Sequence, residues 1–180
     1  MTLIGLVTAA TLPRIRTALD GANTRGAAFY VSSRFTLART LAAQRNANVA
    51  FRFEPEDDGF RVRTLMDTNG NGVLVAEVRS GVDVSILPDE RLDHRFSGVQ
   101  YGFVPGGRLI DGTSVSPGDD PIRFGRSDML TFSPSGTATA GSVYIRSRRD
   151  EWQFAVVVLG ATGRTRIARF DGRTRQWIDP

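Results

Sequence analysis

Residues 1–50 constrain the fold more than any other stretch. An uncharged run from Thr2 to Leu12 meets Pro13-Arg14. Apolar or small residues then recur in steps of three and four, at Ile15, Leu19, Ala22, Gly26, Phe29, Ser33, Leu37 and Leu41. That spacing is the stripe of an α-helix with one face buried. Arginines fall between these positions, and Asn46 and Asn48 supply a polar stop. At ~1.5 Å per residue such a helix extends about 50 Å or more, longer than a domain of this size is wide. The expectation is a stalk, residues 1–48, with a separate globular head, residues 49–180.

Behind the helix the period falls from 3.6 to 2. Val49–Phe53 and Phe60–Leu65 alternate apolar with polar residues, as half-buried strands do, around the turn-forming Glu54–Gly59. A second turn, Asp67-Thr-Asn-Gly-Asn-Gly72, leads to two further expected strands, Val73–Val78 and Val82–Ile86. Residues 87–127 carry scattered Pro and Gly and predict long loops with a few short strands. Met129–Phe132, Ser142–Arg146, Glu151–Leu159, Arg164–Phe170 and Arg173–Ile178 complete the pattern. The fold class is α+β: one long N-terminal helix followed by an antiparallel all-β head.

A chain of 180 residues suits one domain with a real core, and its 41% hydrophobic content excludes a disordered chain. It has no cysteine, which removes disulfides, zinc–thiolate sites and thiol catalysis. The net charge of +4 is unevenly spread, acid-rich over residues 54–93 and arginine-rich over the last forty. That polarity suits a directional partner without identifying one. The apolar run before Pro13 is about half the roughly twenty residues that a membrane span requires.

Three motifs sharpen the picture. Ala38–Val49 (Ala-Arg-Thr-Leu-Ala-Ala-Gln-Arg-Asn-Ala-Asn-Val) is similar to the helix-to-strand passage of the GspH/FimT group of minor pseudopilins. Leu130–Val143 resembles that group's Phe-x-Pro-x-Gly hairpin, and Gly163-Arg-Thr-Arg166 its C-terminal Gly-Arg-x-Arg. With the long helix in front, the resemblance covers nearly the whole chain and implies a type IV pilin-like architecture. The front end departs from the family. Met1-Thr-Leu-Ile-Gly-Leu6 imitates the family's opening, yet Gly5 stands where the acidic residue belongs. Aligned on Pro13 instead, Ile4–Pro13 matches the second half of the family's apolar segment, and the expectation is that the first half is missing.

The resemblance implies a subunit that assembles through its helix, with Leu3, Ile4, Leu6, Val7, Leu12, Pro13, Ile15 and Leu19 as the filament-packing residues. It implies other major and minor pilins or pseudopilins as partners, in a type II secretion pseudopilus or a type IV pilus. It also implies an inner-membrane anchor through the full-length helix, a periplasmic head, and the N-terminal methylation of that family. No cofactor is expected.

Asp171-Gly172 is a favoured two-residue hairpin turn. Closed there, it would pair Phe170 with Arg173 and Arg166 with Trp177, setting Arg164, Arg166, Arg173 and Arg175 on one face flanked by Phe170 and Trp177. Such a face is either a solvated edge that resists aggregation or a surface for double-stranded DNA. Some FimT-like proteins are associated with DNA uptake through this region, which makes DNA the alternative partner. Asp67, Asn69, Asn71 and Gly72 fit the first half of a calcium loop, but the acid expected at its twelfth position falls on Val78. The plainer reading is an Asn-Gly turn. His94, the only histidine, has no nucleophile elbow around it, and no phosphate-binding or dinucleotide motif is present. The sequence makes no case for an enzyme.

Overall fold

The computed structural model describes residues 2–125 and 127–180, with side chains from Thr17 onward. Helix α1 spans Thr2–Arg45. It stops where the sequence supplies a stop: Asn46 adopts a left-handed conformation (φ 49°), and the Ala47 N–H closes back on the Ala42 carbonyl at 3.3 Å.

Two antiparallel sheets follow. In the first, β1 (Val49–Glu56) forms a full-length hairpin with β2 (Gly59–Met66). Short strands β3 (Val84–Ser85) and β4 (Glu90–Arg91) lie on the far side of β2, and β7 (Met129–Phe132) pairs with the other edge of β1. The second sheet runs β11 (Gln176–Ile178), β10 (Arg164–Asp171), β9 (Gln153–Leu159) and β8 (Gly141–Arg146). Two short strands, β5 (Gln100–Tyr101) and β6 (Ile122–Arg123), complete it along β8.

The second half of α1 is the wedge that joins the sheets. Ala27, Ala28, Val31, Phe35, Ala38 and Ala42 are buried in one core with Phe51, Phe53 and Phe132 of the first sheet and Val143, Ile145 and Val156 of the second. Phe35 sits at the junction, its ring 5.1 Å from Phe51, 6.1 Å from Phe124 and 6.4 Å from Phe132, in the tilted and edge-on arrangements that aromatic rings prefer. Small residues let the helix lie close. At Gly21 an added Cβ would stand 2.7 Å from the Trp152 ring.

Three expectations are corrected. The buried face of α1 is Thr24, Ala27/Ala28, Val31, Phe35, Ala38 and Ala42, whereas most of the stripe chosen from the sequence faces outward. Large residues dominated the pattern, and the packed face is built of small ones. The strand expected at Val73–Val78 is instead helix α2 (Val75–Ser80), whose backbone turns on Leu74. Of Val82–Ile86 only Val84–Ser85 is strand. The irregular stretch also holds a single helical turn, α3 (Leu92–Arg95).

Candidate functional surfaces

Among the described residues, the outward stripe of α1 leaves three large apolar side chains exposed. Leu19, Phe29 and Leu37 are 64%, 47% and 41% exposed, with Ala22 and Ser33 exposed and Gly26 half-buried between them. Successive members lie three or four residues apart, so they form one ridge along the helix. Leu19 is the one filament-packing candidate whose side chain can be judged. Leu3, Ile4, Leu6, Val7, Leu12, Pro13 and Ile15 have side chains outside the described residues.

The three sequence motifs meet at one point. Arg39 of the helix passes beside Gly136 of the β7–β8 connection and Gly163 at the start of β10. Gly163 has φ 59°, and an added Cβ would lie 2.8 Å from the Gly136 carbonyl oxygen and 3.2 Å from Arg39 Cδ. Left-handed backbone and this closeness both require glycine there. Beside it the Ala138 N–H reaches the Gly160 carbonyl at 2.8 Å. These motifs tie the helix to the upper ends of both sheets.

The Asp67 loop is closed by its own donors. Oδ1 of Asp67 accepts the N–H groups of Asn69 (3.2 Å) and Gly70 (2.7 Å). Oδ2 accepts the Gly72 N–H and the Asn48 side-chain amide, both at 2.8 Å. Burial works against the charge, but these bonds outweigh it and hold the carboxyl below the ordinary aspartate range. The amides of Asn69 and Asn71 donate to Glu77 at 3.1 and 2.7 Å. Among the described residues no group of three or more His, Cys, Asp or Glu is arranged to hold a metal. The arrangement is a turn that orients α2.

The C-terminal hairpin closes differently from its expected register. Phe170 pairs with Trp177 and Asp171 with Gln176, leaving Gly172–Arg175 as a four-residue loop. Asp171 pins that loop through the Arg173 N–H (3.0 Å) and the Thr174 hydroxyl (2.9 Å), and Arg175 turns it with φ 55°. Phe170 and Trp177 do meet, 5.4 Å apart, but beneath the 103–120 loop. There Trp177 Nε1 donates to the Leu109 carbonyl, and Tyr144 and Gln153 hold further backbone groups. Arg164 and Arg166 are exposed at the opposite end of β10, some seven residues or ~20 Å from the loop that carries Arg173 and Arg175. The four arginines therefore make two surfaces. Pairing Asp171 with Gly172 as the turn overlooked the Asp171 carboxylate, which favours the longer loop. His94 is exposed on α3.

No family model matches the chain, and no curated protein matches it. Among solved structures it is similar to the minor pseudopilin EpsH from the type 2 secretion system of Vibrio cholerae, at 17% identity and a TM-score of 0.48, over 81% of this chain and 95% of that one. The plan seen here is one long amino-terminal helix set into an antiparallel β head. Among the described residues no helix is long and apolar enough to cross a membrane.

Proposed function

We propose that this chain is a minor pseudopilin that assembles with other pilin-like subunits through α1. Residues 1–48 act as the spine and residues 49–180 as the head that meets neighbouring heads. The observation that carries this reading is the double-faced helix. One face is consumed by the head's own core, and the other leaves Leu19, Phe29 and Leu37 exposed. A contiguous exposed apolar ridge on an otherwise well-packed domain marks an association surface. Its regular helical spacing suits another helix laid alongside. EpsH belongs by its description to a type 2 secretion system. A subunit of a type II pseudopilus or a type IV pilus, priming or capping the filament with its head in the periplasm, is the corresponding role here.

The absence of cysteine makes the test clean. Phe29→Cys and Leu37→Cys, produced in cells whose cognate subunits carry a cysteine introduced on their own helices, are expected to give disulfide cross-links to those helices under an added oxidant. Leu74→Cys, on an equally exposed head position, is expected to give none. Cross-linking from Leu74 alone would sink the reading.

Duplex DNA is the alternative partner, and the exposure of Arg164 and Arg166 beside the half-exposed Leu159 is what favours it.

A further inference from the structure

Most strand edges in this head are covered. Beside β7 runs the segment 137–139, joined through the Phe132–Ala138 bridge and the Thr139 N–H to the Thr131 carbonyl at 2.9 Å. The far side of β2 carries β3 and β4, and between them the Ile86 N–H reaches the Thr64 carbonyl. The far side of β8 carries β5 and β6, with the Gly102 N–H on the Tyr144 carbonyl and the Tyr144 N–H on that of Pro121. β10 differs. β11 pairs only with Arg169, Phe170 and Asp171, so residues 164–168 have β9 on one side and, among the described residues, no strand on the other. Alternate residues of an antiparallel strand aim their N–H and C=O groups at opposite neighbours. Part of this stretch therefore points away from β9 without a ladder partner, which is a template for another strand.

The surroundings specify that strand. Arg164 and Arg166 stand on the outer face of the sheet, opposite Leu159 and Val157 of β9. Both are exposed, and neither makes an ion pair among the described residues. Across the ladder from Arg166, through Val157 and Ser142, the exposed Arg123 of β6 adds a third positive charge to the same face. The opposing acids are Asp111, whose carboxylate is held low by its own loop and by Arg123, and Asp179, which follows β11. On the inner face the Thr165 hydroxyl meets that of Ser32 at 2.7 Å, so the open edge runs beside the helix that carries Phe29 and Leu37. A second copy of β10 fits this edge poorly. Antiparallel pairing centred on Arg166 would set arginine against arginine, and like charges directly opposite are destabilising.

We propose that the open edge of β10 takes up an extended, acid-bearing segment of a neighbouring subunit's head as an added strand. Backbone pairing supplies the affinity, and carboxylates on alternate residues of the segment meet Arg164 and Arg166. The inference rests on the filament-subunit reading for the source of that segment, and it assigns these two arginines to protein in place of duplex DNA.

The test titrates the full chain with a blocked peptide of alternating valine and glutamate and follows amide hydrogen exchange. Binding is expected to protect alternate amides within residues 164–168. Arg164→Ala/Arg166→Ala is expected to weaken it about tenfold, with thermal melts excluding a folding defect. Two further peptides carry N-methyl groups on every valine or on every glutamate. Only one alternation of an added strand faces the edge, so one methylated peptide is expected to lose binding and the other to stay within about twofold of the parent. Equal affinities of the two methylated peptides overturn the proposal, because charge attraction alone ignores the backbone. So do protection outside β10, or duplex DNA binding with no binding of the parent peptide. Cysteine cross-links from Phe29 and Leu37 report helix pairing separately, so intact cross-links with no peptide binding remove the strand contact alone.

Discussion

Asp67 receives three loop N–H groups and the Asn48 amide, and so couples the end of α1 to the loop that aims α2. Its spacing in the sequence matches the first half of a calcium loop, but with Val78 at the twelfth position it suits an Asn-Gly turn better. In this structure the atoms that reach the carboxylate are donors. Removing the carboxylate strands four donors, so Asp67→Ala is expected to cost about 3 kcal/mol. The pH dependence has a definite sign. The folded pKa is depressed, so the stabilisation is complete above the unfolded value of about 3.9 and is lost as pH falls through the folded value. Thermal melts of wild type and Asp67→Asn are therefore expected to converge below about pH 4. A gap that stays constant into acid would refute this. Gly163 shows a similar gap between sequence and structure. Its place in a Gly-Arg-Thr-Arg motif is visible, but the 2.8 Å approach to Gly136 that excludes a side chain is a property of two distant segments.

Helix α1 was legible as an element and misread as a surface. Steps of three and four define a helix whatever its packing, and Asn46 stops it as expected. Choosing the buried face by the size of its residues failed, because a helix wedged between two sheets must bring its backbone near them. Alanine, threonine and glycine permit this, and Phe35 fills the central gap. The two phenylalanines on opposite faces are thus expected to behave differently. Phe35→Ala should cost about 4 kcal/mol by leaving a cavity among three rings. Phe29→Ala should change stability by less than about 0.5 kcal/mol while weakening association. Denaturant unfolding of the two variants measures the contrast, and equal losses would place both rings in the core. At α2, valine's strand propensity yields to tertiary anchors. The Leu74 N–H is held by Asp83 at 2.9 Å, and Glu77 is held by both Asn69 and Asn71.

Across the whole molecule the charges sort by sheet end. One turn chosen wrongly placed Arg173 and Arg175 on a strand beside Phe170 and Ala168, whereas they stand in the loop, and the expected four-arginine face becomes two separate pairs. A compact duplex site using all four would give a salt slope near 4, whereas a single pair gives one of about 2. Anisotropy titrations of mixed-sequence duplex across salt concentrations are expected to return the lower value. The higher slope, lost in steps as each pair is changed to alanine, would restore one concerted DNA surface.

Local chemistry determined what the chain by itself announces: a long helix, its polar stop, the alternating strands, and motifs resembling a pilin-like head. Each depends on spacing along a few neighbouring residues. The tertiary structure alone decided which helix face is buried, whether 73–78 is strand or helix, and how far the two arginine pairs stand apart. Those outcomes depend on contacts between segments tens of residues apart, where a one- or two-residue change in a loop reverses a face or an end. The open ridge from Leu19 to Leu37 is visible only once the head has taken the opposite side of the helix.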